Sequence, residues 1–168
     1  MYRPDARQTG ERLVGSAGET PNPRVYFARA IDGEDSAMRL ALASDVASEL
    51  AAAGLLMVDP TVDDPAGAGA AEADTGKLYQ EIVEHDLSVL KSCHAILMDI
   101  SVPGRSYIGC ICEMTYAYFW RIPCVAYVGK TDSRRPWLHY HATAVFETRA
   151  DAIDLLGRLL KASPAPAT

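Results

Sequence analysis

The sequence has no cluster of lysine or arginine anywhere along its length. Its 16 basic residues are outnumbered by 22 acidic ones, for a formal net charge of −6. A partner held by phosphate-backbone electrostatics requires a basic stripe or patch, so nucleic acid is not an expected partner. Long apolar runs are missing too. No stretch reaches the roughly 20 consecutive apolar residues that cross a bilayer. The opening MYRPDARQTGERLVGSAGETPNP also lacks the apolar segment of a signal peptide. A cytoplasmic chain with no membrane partner is therefore expected. Cysteines are few, and Cys93, Cys110, Cys112 and Cys124 all lie inside apolar segments. A C-x-C pair within a helix is neither a zinc spacing nor a redox C-x-x-C, so buried reduced thiols are expected. The triplet His139 to His141 has no second ligand cluster to complete a metal site. Neither metal nor cofactor is expected, and no internal repeat is present.

What is present fits one domain, since 168 residues suffice to bury a core without disulfides or metal. Residues 1–23 mix Pro, Gly, Arg and Glu without apolar period and read as a mobile leader. Residues 24–162 form the domain, and 163–168 a tail. The centre of the chain is CHAILMDISVPGRSYIGCICEMTYAYFWR, Cys93 to Arg121. Its first part is an apolar run closed by Asp99, the pattern of a strand buried on both faces of a parallel sheet. After the Pro103-Gly104 turn, Tyr107 to Trp120 is apolar or aromatic nearly all round, which predicts a largely buried helix. Tyr116, Tyr118, Phe119 and Trp120 are accordingly expected in the core.

Around this centre, strands and helices alternate. Strands are expected at Arg24–Ala28, Leu55–Val58, Ile122–Val128 and Ala142–Phe146. Helices are expected at Ser36–Ala53, capped from the segment IDGEDSA and ended by Gly54, at Lys77–Lys91, and at Ala150–Lys161. Pro60 to Gly76 has no period and reads as a long loop suited to covering a ligand. Such alternation implies right-handed crossovers, hence an α/β protein with a five-stranded parallel sheet in the order 2-1-3-4-5. Ligands of such sheets bind beyond the carboxyl ends of the strands. That rim would carry Arg29 and Asp32, then Asp59, then Asp99 and Ser101.

Glu113 is the one acid of the apolar helix, and an ionised carboxylate there needs stabilisation or a function. It is placed near the helix's positive N-terminal end, which favours the ionised form. The bland alternative is a first-turn acid serving the helix dipole. Asp86, beside the apolar stripe of the helix before, is either a site residue or a solvated one. Asp99 is either a ligand contact or a turn acid. Trp137 and Tyr140 suit either an interface or a stacking wall for a base.

The order of motifs resembles the nucleoside 2-deoxyribosyltransferase family. The residues concerned are Val25-Tyr26-Phe27-Ala28, Asp86-Leu87 through Leu90, Cys93-His94-Ala95, Gly109 through Glu113 with Ala117, and Ile122-Pro123, together spanning roughly 120 residues. The resemblance implies a flavodoxin-like three-layer fold and a homodimer or larger homo-oligomer whose sites a neighbour completes. It implies Glu113 as nucleophile and Asp86 as the assisting acid. Tyr26, Arg29, Asp59, Asp99, Ser101, Tyr107 and Gly109 are then expected around the substrate, a nucleoside or nucleotide. The reaction is cleavage of an N-glycosidic bond through a glycosyl-Glu intermediate, with transfer of the sugar to another base or to water. A nucleotide N-glycosidase and a non-catalytic binding module are the alternatives on this fold.

The chain departs from the family at the sugar's 5′ side. Tyr107 stands where transferases often carry Asp and nucleotide-cleaving relatives a phosphate-binding Ser. Arg29-Ala30 replaces a pair of small residues. Three acids, Asp32, Glu34 and Asp35, would repel a phosphate, with Arg29, Arg105 and Ser106 as the offsetting groups.

Overall fold

The computed structural model describes residues 21–31, 35–63, 75–130 and 134–162. The expected tail, nearly all of the leader, and most of the loop proposed as a lid therefore lie outside the described residues. Strand β1 is Arg24–Arg29, with every residue after the first buried. Asp35 caps helix α1, Ser36–Ala52, its Oδ1 accepting from the amides of Ala37 and Met38. The helix stops at Gly54, whose φ of 78° lies in the left-handed region that glycine adopts without steric cost.

Strand β2, Leu56–Val58, leads into a short 3-10 turn at Pro60–Asp63. Helix α2 is Thr75–Lys91 and strand β3 is Ala95–Asp99, buried throughout. Helix α3 is Ile108–Trp120 and strand β4 is Cys124–Tyr127. A helix α4 at Pro136–His141, absent from the sequence reading, precedes strand β5, Ala144–Phe146. Pro136 at its first position was the available signal, because proline is pre-organised for a helix start and loses no hydrogen bond there. Helix α5, Arg149–Ala162, closes the described chain.

All strand pairings are parallel and the order is β2-β1-β3-β4-β5, as expected from the alternation. Two cores lie on opposite faces of the sheet. One joins Tyr26, Ile96, Met98 and Cys124 to Leu90 of α2, Met114 of α3 and Leu138 of α4. The other joins Phe27, Leu97 and Val125 to Leu50 of α1 and Leu156 of α5. The period-2 alternation of side chains along each strand distributes neighbouring residues between these layers.

Helix α3 corrects the sequence reading. It buries only Cys110, Met114 and Ala117, while Ile108, Tyr116, Tyr118 and Phe119 are exposed, Phe119 by 73 %. A helix on one face of a sheet covers only the stripe that faces the strands, however apolar its other side. Tyr116, Tyr118 and Phe119 are thus not core residues in the single chain. Cys112 is exposed on the same outer side, whereas Cys93, Cys110 and Cys124 are buried as expected.

Candidate functional site

At the carboxyl edge of β1, the sheet and the first half of α3 bring Glu113 into contact with Tyr26. The Tyr26 hydroxyl donates to Oε1 of Glu113 at 2.6 Å. Tyr26 is fully buried, so its ring holds the carboxyl group in one place. A small cavity of about 60 Å³ opens beside this pair, lined by Phe27, Ala28, Arg29, Ile31, Pro60, Thr61, Ile82, Asp86 and Glu113. It is smaller than a nucleoside, and the neighbouring segments 32–34 and 64–74 are outside the described residues. Glu113 and Asp86, which lie 27 positions apart in sequence on two helices, thus meet at one cavity.

The carboxyl group of Glu113 is pushed up to about 7. Burial is the largest cause, the Tyr26 hydrogen bond acts in the opposite direction, and the negative charge of Asp86 adds to the rise. The expected stabilisation by the helix N-terminus does not prevail, because no acid lies in the first turn of α3 and Glu113 sits one turn further in. The reading of Glu113 as a first-turn dipole acid falls for the same reason. Tyr26 is itself held well above the ordinary tyrosine range by burial and by Glu113, so it remains a hydrogen-bond donor at any working pH.

The other expected site residues divide. Arg29 lines the cavity, but its Nη2 donates to Oδ2 of Asp59 at 2.9 Å in an ion pair whose side chains are 4 % and 6 % exposed. Its guanidinium carbon stands 4.9 Å from the centre of the Phe27 ring. The other oxygen of Asp59 accepts from the amide and hydroxyl of Thr61, at 3.0 and 2.8 Å, and so fixes the turn that supplies the Pro60-Thr61 wall. Asp99 is buried and pairs in register with Arg29 on one side and Tyr127 on the other. Its Oδ1 accepts from the amide and hydroxyl of Ser101, at 2.8 and 2.6 Å. Both residues shape the turn after β3, and neither lines the cavity.

Tyr107 is buried at the start of α3, its hydroxyl donating to the carbonyl of Val102 and accepting from the Val102 amide. It therefore fastens the loop after β3. Gly109 is exposed, and a Cβ there would meet nothing within 4 Å. Of the acids read as repelling a phosphate, Asp35 is the cap of α1, while Asp32 and Glu34 lie outside the described residues. Pro60, Thr61, Ile31 and Ile82 were not expected in the site. The Asp-Pro-Thr step after β2 was the one available signal for part of this wall, since Asp readily turns the chain onto its own following residues.

Two larger hollows lie on the outer side of α3 and α4. One of about 500 Å³ is lined by Phe119, Pro136, Trp137, Tyr140 and His141, and one of about 640 Å³ by residues including Ile111, Cys112, Tyr116 and Trp137. Trp137 stacks on His141 with ring centres 5.3 Å apart, and Nδ1 of His141 lies 2.9 Å from the Trp137 carbonyl. Among the described residues, neither hollow carries a carboxylate, and neither shares a lining residue with the Glu113 cavity. Trp137 and Tyr140 therefore form no stacking wall of that cavity.

The topology and the acid pair at the carboxyl edge define an α/β protein of the 2-1-3-4-5 type with a cavity beside its first strand whose mainly apolar lining holds two carboxyl groups. No family model and no curated protein matches the chain. Among solved structures, it is similar to a 2-deoxyribosyltransferase from Bacillus psychrosaccharolyticus, with a TM-score of 0.56 and 15 % identity over 84 % of this chain and 93 % of that one. A 2-deoxyribosyltransferase from Leishmania mexicana gives 0.56 and 14 % over 81 % and 97 %. A conserved protein from Enterococcus faecalis V583 gives 0.59 and 13 % over 82 % and 98 %. These likenesses establish the fold, and the fold neighbours include the family that the sequence motifs resemble.

Proposed function

We propose that the chain is an enzyme that cleaves the N-glycosidic bond of a nucleoside-type substrate through a glycosyl-Glu113 intermediate. The observation that carries this reading is the Tyr26-bound carboxyl group of Glu113 facing the same cavity as Asp86. Ionised Glu113 attacks C1′ of the sugar as the C1′–N bond breaks. The electron pair leaves with the base, which takes up a proton shared with Asp86. The sugar is then held as an ester of Glu113, and a second base or water displaces it with net retention of configuration. Tyr26 orients the carboxylate and stabilises its charge, so that one oxygen stays fixed while the other attacks. The fold neighbours named as 2-deoxyribosyltransferases support transfer to a second base. A second copy of the chain covering the outer side of α3 and α4 belongs to the same reading, because the exposed aromatic surface there is large for a single domain.

The test is chemical. The protein is incubated with nucleosides and free bases, and released or exchanged base is followed by chromatography. Glu113→Gln is nearly isosteric, and it should stay folded while losing several powers of ten in rate. A 2-fluoro-arabino nucleoside should leave a sugar adduct on the peptide containing Glu113. A folded Glu113→Gln protein with unchanged turnover would remove Glu113 as nucleophile, and nucleoside binding without turnover by the wild type would make the chain a binding module.

A further inference from the structure

Resting on that reading of the site, the question of which substrates enter turns on Arg29. It is the one cation in the cavity lining among the described residues, and the lining also carries Asp86 and Glu113. An arginine at such a place would ordinarily invite a phosphate. Here its charge is met within the protein by Asp59, in a pair almost wholly withdrawn from solvent. Asp59 is itself held by two hydrogen bonds from Thr61, and Arg29 by the Phe27 ring. Neither partner swings away without leaving the other charge buried and uncompensated, a strongly unfavourable arrangement. The cavity therefore presents the charge of its carboxylates and no net positive charge. Arg29 nevertheless retains Nε and Nη1, both buried and without a hydrogen-bond partner among the described residues. Buried donors are rarely left so, and they call for an acceptor supplied from elsewhere.

We propose that the Arg29–Asp59 pair is the specificity-determining element of the site: it cancels the charge that would attract a 5′-phosphate, leaving donors for an uncharged oxygen of the sugar. The pair then selects free nucleosides over their monophosphates. This discrimination arises from Asp59 rather than from the acids following β1. It also assigns different consequences to the two partners. Asp59→Asn removes the negative charge and keeps one oxygen, which serves Thr61 or Arg29 while the amide nitrogen, a donor, takes the other place. Arg29→Lys keeps the positive charge beside Asp59 but removes two of the guanidinium nitrogens.

The experiment compares thymidine, deoxycytidine and deoxyadenosine with their 5′-monophosphates, measuring both cleavage and equilibrium binding by calorimetry at low and high salt. The wild type should favour each nucleoside by tenfold or more. Asp59→Asn should raise the monophosphate-to-nucleoside ratio at least tenfold and make monophosphate binding salt-sensitive. Arg29→Lys should raise KM for nucleosides and leave that ratio near its wild-type value. Preference of the wild type for monophosphates, or an unchanged ratio in folded Asp59→Asn, would overturn the proposal. If Asp59→Asn does not fold, a wild-type preference for monophosphates still overturns the proposal, and Asp59→Ser supplies the second uncharged variant on which the ratio is read. Nucleoside-selective binding without cleavage would sink the catalytic reading alone and support the selectivity, whereas binding of neither class would overturn both.

Discussion

A carboxyl group raised to about 7 next to a tyrosine hydroxyl makes two measurable demands on pH. If Glu113 reacts as the anion, kcat/KM should fall as pH drops through about 7, because the protonated acid is a poor nucleophile. Tyr26→Phe removes a hydrogen bond that favours the anion, so its acidic limb should move to higher pH. Asp86→Asn removes a charge that disfavours the anion, so its limb should move lower, with turnover reduced about 10² to 10⁴-fold if Asp86 manages the proton. A pH–rate profile of the three proteins checks both directions. Stability follows by linkage. The folded protein holds the Glu113 proton more tightly than the unfolded chain does, so stability decreases as pH rises from about 4.5 to about 7 and levels off above. The contribution lost is at most about 3 kcal/mol. Glu113→Gln should flatten that slope in denaturant titrations, and gain stability above pH 7 relative to the wild type.

Helix α3 serves two surfaces with one apolar sequence. Its inner stripe, with Met114 fully buried against the sheet, anchors the turn that carries Glu113. Met114→Ala should cost about 2–5 kcal/mol, read from chemical denaturation, because the cavity left between helix and sheet collapses only in part. Its outer stripe stands next to Trp137 and Tyr140 of α4, which are 66 % and 67 % exposed. With a second copy on this face, light scattering of the wild type should give a multiple of 18.1 kDa, and Phe119→Asp should reduce it to that value. A wild-type mass of 18.1 kDa at working concentration would remove the idea. The loop after β3 is fastened at both ends, by Tyr107 onto Val102 and by the close approach of Gly129 to Ser101. Gly129 has a φ of 58°, and a Cβ there would come within 3.2 Å of the Ser101 Cβ, so Gly129→Ala should strain the rim next to the site.

Across the whole molecule, the strand order follows from local patterns combined with a chirality rule. Apolar runs such as Val25–Ala28 and Ala95–Met98 have one use in a chain of this length, as strands covered on both faces, and the helices between them force parallel crossovers. Asp35 and Gly54 act within a few residues of themselves, so the ends of α1 were also legible in the sequence. Glu113 stood out because a lone acid in an apolar helix conflicts with its surroundings, and Asp86 through its place in the motif. Folding alone decided which groups those side chains meet. Tyr26 reaches Glu113 across 87 positions and Arg29 reaches Asp59 across 30, distances over which sequence periodicity carries no information. The outer side of α3 was misjudged for a related reason: an apolar residue records a tendency to leave water, and the count of layers packed on a helix determines whether the single chain satisfies it. Composition and period thus determined the elements and their order, whereas tertiary contacts decided the charge of the cavity and which apolar face was left uncovered.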